Sequence, residues 1–117
     1  MKYGGPASEP MISEASVEAA LDWLRDNAEA IGKARARAVN AGHMIKHVEA
    51  LEYKMSSAKT EAAKKADART SERYVEAINE DAEAAGEFTR MTSLREAAAL
   101  KIESWQTQSA NFRAMKL

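Results

Sequence analysis

Two long runs of apolar residues, spaced alternately three and four apart, flank a stretch that has no large apolar side chain, and this pattern leaves few folds open. In the first run Val17, Leu21, Leu24, Ala28 and Ile31 share one stripe of a helix. After a small phase slip the stripe resumes through Ala34, Ala38, Ala41, Ile45, Val48, Leu51 and Met55. The second run carries Tyr74, Ile78, Ala82, Ala85, Phe88, Met91, Leu94, Ala98, Ile102, Trp105 and Phe112. Alternating β-branched runs and hairpin turn dipeptides are missing, so the reading is all-α. The spacing predicts helices over about 16–57 and about 71–114, joined by a connection over about 58–70 in which residues 60–68 can form a short solvated helix. Two such stripes on a short link pack antiparallel, because a parallel return needs a crossover the chain lacks. The expected fold is a long, coiled-coil-like helical hairpin.

Local signals place the ends. Gly4, Gly5, Pro6 and Pro10 keep residues 1–12 from propagating a helix, which predicts a flexible N-terminal arm ahead of a single hairpin domain over 13–117. Ser13 or Ser16 can cap the first helix, with Glu14 and Glu18 in the turn where the macrodipole favours negative charge. Thr70 or Ser71 caps the second. Gly32 and Gly42 are the weak points of the first helix, and the slip at 31–34 predicts a kink there. Folding about the middle of the connection pairs positions whose numbers sum to about 128. That register sets Trp23 level with Trp105, and Ile45 beside the segment from Ala82 to Ala85.

Alanine supplies 25 of the 117 residues, so the large apolar residues are few and a two-helix core is thin. Dimerisation into a four-helix arrangement is the expected remedy. The chain has no cysteine, which removes disulfides, thiolate metal sites and thiol nucleophiles and fits a reducing cytoplasm. The start MKYGGPASEP lacks an apolar signal core, and no run approaches the ~18 apolar residues of a membrane span, so no membrane association is expected. A formal charge of -1 gives no global attraction to nucleic acid. Charge alternates along the chain in acidic, basic and acidic blocks over 9–30, 33–73 and 74–100, followed by a weakly basic tail. In an antiparallel hairpin these blocks meet with opposite sign.

Candidate sites are sparse. His43 and His47 have the i,i+4 spacing by which a helix offers two imidazoles to a metal, but no third ligand is specified, and solvent-facing histidines explain them as well. The carboxylates are spread over polar faces and the serines cluster at caps and turns. The expectation is therefore no enzyme, no cofactor and no metal. Lys59, Lys64, Lys65, Arg69 and Arg73 make a basic hairpin tip able to contact phosphates, opposed only by Glu61, Asp67 and Glu72. Trp23, Trp105, Phe112 and Arg113 cluster toward the other end, as core or as an oligomer or partner surface.

The segment AALKIESWQTQSANFRAMK over 98–116, with AKTEAAKKADARTSERYVEA upstream, resembles a family of small helical proteins encoded by bacteriophages and prophages. The resemblance rests on a W-x-[ST]-Q-x-A-x-x-R-A pattern, present here as Trp105, Thr107, Gln108, Ala110, Arg113 and Ala114. It implies a non-enzymatic accessory protein in the cytoplasm of a bacterial host, acting through protein–protein contacts in a recombination or replication module. Two other functions stay open: a phage-encoded inhibitor of a host defence system or host enzyme, and a nucleic-acid-binding helical protein using the basic tip. The partner in the first two cases is an unidentified phage or host protein.

Overall fold

In the computed structural model, residues 12–115 are described, and the expected arm falls outside them except for Ile12. Three helices follow in order: α1 over Glu14–Met55, α2 over Glu61–Thr70 and α3 over Glu72–Met115. No strand occurs among the described residues, and the all-α helical hairpin expected from the stripes is the fold.

The caps explain where the helices begin. Ser13, not Ser16, opens α1: its Oγ accepts from the Ser16 amide at 3.1 Å and its carbonyl from the Val17 amide at 3.0 Å. Thr60 caps α2 through the Ala63 amide, also at 3.1 Å. Ser71 serves two helices: its hydroxyl donates to the Ala68 carbonyl at 2.9 Å and accepts from the Tyr74 amide at 3.1 Å. One extended residue, with φ -67° and ψ 150°, thus bends the chain between α2 and α3.

The described residues form two compact units, one within 12–28 and 93–115 and the other over 29–92. In each, part of α1 lies antiparallel to part of α3. The inward positions of α1 run 17, 20, 24, 27, 31, 34, 38, 41, 45, 48 and 52, all buried or half-buried. This is an unbroken seven-residue repeat, and the expected phase slip does not exist. The slip came from assigning Leu21 and Ala28 to the seam, where the fold places Ala20 and Asn27; Leu21 is 50% exposed. Asn27 is tolerated there because its side-chain amide donates to the Trp23 carbonyl at 2.9 Å. Without a slip nothing drives a kink, and α1 continues through Gly32 and Gly42. Likewise α3 turns Ala77, Asp81 and Ala84 inward in place of Ile78, Ala82 and Ala85.

The register differs from the expected one. In the second unit Arg37 meets Glu80, and a Cβ on Gly42 would stand 3.6 Å from Asp81 Oδ1, so paired positions sum to about 120. The offset of about eight residues is some 12 Å of helix. Its cause lies in the connection: the chain reverses within residues 56–60, and α2 already belongs to the returning arm. Arg69 of α2 reaches Glu49 at 2.6 Å, and Lys64 lies over the Tyr53 ring at 5.6 Å, which continues the same pairing past the start of α3. The Ser56 hydroxyl donates to Asp67 Oδ2 at 2.6 Å and ties the reversal to α2.

Candidate interaction surface

In the first unit the two tryptophans are not level, contrary to the expected register. Trp23 lines a depression with Ala19, Ala20, Leu94, Ala97, Ala98 and Lys101, while Trp105 stands beside Val17 and Leu21. Both indoles are half-buried. Trp105 also borders an open groove of about 390 Å³ with Ile12, Gln108, Ser109, Phe112 and Arg113. The Ile12 amide donates to Gln108 Oε1 at 3.3 Å at this groove. Phe112 is 51% exposed and Arg113 is exposed. Of the four residues singled out here, Trp105, Phe112 and Arg113 are brought together, and Trp23 is not.

The basic tip is partly neutralised in the second unit. Arg69 pairs with Glu49, and Arg73 Nη1 lies 3.8 Å from Glu52. The Glu49 hydrogen bond, followed by its charge, raises the Arg69 pKa above its ordinary value. Lys64 is half-buried over Tyr53, and Lys65 borders a shallow groove with Lys46, Tyr53 and Lys54. Only Lys59 and Lys65 of the five stand exposed without an ion pair among the described residues. His43 and His47 are both exposed, and no group of three or more metal-ligating side chains occurs among the described residues.

One flank of the second unit holds its charge in ordered pairs. Arg37 donates from Nε and Nη2 to the two Glu80 oxygens at 2.9 and 2.8 Å, with Glu83 at 3.8 Å. This bidentate bond, chiefly, lowers the Glu80 pKa from its ordinary value. Arg90 grips Glu87 in the same way along α3, at 3.1 and 2.8 Å.

The opposite flank is a feature that the stripes concealed. Between Arg73 and Arg90, six of the seven charges of α3 stand at 73, 76, 80, 83, 87 and 90, on one side of the helix. The seventh, Asp81, turns into the seam beside Gly42. The other side, Val75, Ile78, Asn79, Ala82, Ala85, Gly86 and Thr89, has no charge and is exposed throughout. The uncharged face emerges only once Ile78, Ala82 and Ala85 are known to point outward.

Comparison of the chain with family models, with curated proteins and with solved structures gives no match. No helix among the described residues is long and apolar enough to cross a membrane.

Proposed function

We propose that this chain is a non-enzymatic helical module that works through protein–protein contacts, beginning with copies of itself. The carrying observation is how few large apolar side chains the hairpin fully buries. Among the described residues Val17, Ile31 and Met91 are the only large ones buried, and the other buried positions are alanine. Leu21, Val39, Leu51, Val75, Ile78 and Leu100 all face outward, between 36% and 61% exposed. Scattered exposed apolar residues are ordinary, but this many beside so thin a fully buried core favour a fold completed by association.

The resemblance of residues 98–116 to small phage-encoded helical proteins supplies a setting, an accessory role beside recombination or replication proteins of a phage or prophage. Direct binding of nucleic acid by the tip is disfavoured, because Arg69 and Arg73 already face carboxylates. Sedimentation equilibrium at micromolar concentration tests the reading. The expected mass is at least twice the 12.8 kDa of the chain, and a monomer at every concentration refutes self-association.

A further inference from the structure

On the reading that the chain self-associates, we infer that the uncharged face of α3 between Val75 and Thr89 is where a second copy docks, antiparallel to itself about a two-fold axis near Ala82. Three observations point there.

Charge comes first. A solvated helix face normally carries the charged residues that keep it soluble, and α3 has seven charges between positions 73 and 90. None lies in the sector of Val75, Ile78, Asn79, Ala82, Ala85, Gly86 and Thr89, roughly 120° wide at 3.6 residues per turn. An acidic or basic partner finds nothing on this face of α3 to pair with, whereas a second copy presents an equally uncharged strip.

Size comes second. The bulky residues sit at one end, with Val75 48% and Ile78 40% exposed, and the small ones at the other. A two-fold axis at Ala82 sets Ile78 of one copy, the largest side chain of the strip, against Gly86 of the other, its smallest residue, and Val75 against Thr89, which has the same shape. This is the self-complementarity that an isologous contact requires.

Gly86 comes third. Glycine in a helix interior costs about 1 kcal/mol relative to alanine. A Cβ built on Gly86 meets nothing within 4 Å, so the chain's own packing does not call for glycine. The site is open to a side chain entering from another copy. Val39 of α1, 52% exposed and at the height of Ala82 in the observed register, extends the apolar area beside the strip.

The chain has no cysteine, so introduced thiols report the geometry directly. Under mild oxidation Ala82→Cys is expected to form a disulfide-linked dimer much faster than Ala62→Cys on the exposed face of α2. An equimolar mixture of Ile78→Cys and Gly86→Cys is expected to cross-link faster than either variant alone. Ala82→Glu, checked for unchanged helicity by circular dichroism, places two like charges on the axis and is expected to weaken dimerisation about 100-fold. Cross-linking of Ala82→Cys at the rate of Ala62→Cys, or an unchanged dimer in Ala82→Glu, overturns this surface even where the wild-type chain is dimeric. A wild-type chain that remains at 12.8 kDa overturns the self-association reading itself.

Discussion

Truncating Ile31 to alanine tests the inner frame of the hairpin most sharply. In the second unit the buried residues are Ile31, Ala34, Ala41, Ala68, Ala84 and Met91, so Ile31 and Met91 are its only large buried side chains. Their positions pair under the observed register, and they are 7% and 5% exposed. Removing three methyl or methylene groups from a buried site costs about 2–5 kcal/mol, including the cavity left behind. Met91, which faces it, is flexible enough to fill part of the gap, so Ile31→Ala is expected to cost about 3 kcal/mol. Leu21→Ala is the contrast. Full burial of a leucine is worth about 1.5–3 kcal/mol, and Leu21 is half exposed, so about 1 kcal/mol is expected. Urea unfolding followed by circular dichroism, at one fixed protein concentration, measures both. Equal losses would refute the seam through Ala20 and Asn27 and restore the one through Leu21 and Ala28.

Other substitutions probe single features. Ser71→Ala removes the cap shared by α2 and α3 and is expected to cost about 1 kcal/mol in the same unfolding assay. Gly32→Ala is expected to stabilise by about 0.5–1 kcal/mol, because a Cβ there meets nothing within 4 Å and φ is helical; a loss of stability would show a contact at that site. Glu52 occupies the seam with Oε2 buried and without a hydrogen bond among the described residues, so Glu52→Leu is expected to be neutral or stabilising by about 1 kcal/mol in thermal unfolding. The Glu80 pKa is lowered by Arg37, so the stability this pair contributes is present above the ordinary carboxylate pKa and is lost as pH falls through the lowered folded value. Acid titration of stability should be less steep in Glu80→Gln than in the wild-type chain.

The helical class and the antiparallel pairing were legible in the sequence because a three-four repeat over forty residues admits little else. Three finer features were not, and for one physical reason each. Which side of the stripe faces inward was misread because size was taken as the guide, whereas closely packed helices select small residues such as Ala20, Ala77 and Ala84 for the seam. The register was displaced because α2 has no large apolar residue to announce it as part of the return arm, although Thr60 and its following Glu61 mark a helix start. The outward uncharged face of α3 depends on both corrections. At the candidate site, Trp105, Phe112 and Arg113 line one groove, while Trp23, set level with Trp105 by the displaced register, lies elsewhere.

Dependence of the melting temperature on protein concentration tests the central claim most directly, since a fold completed by association must gain stability as its partner becomes more abundant. The account predicts that the midpoint rises steadily as the wild-type chain is concentrated, and that Ala82→Glu flattens the rise. A midpoint independent of concentration, with the chain fully helical when dilute, would contradict it.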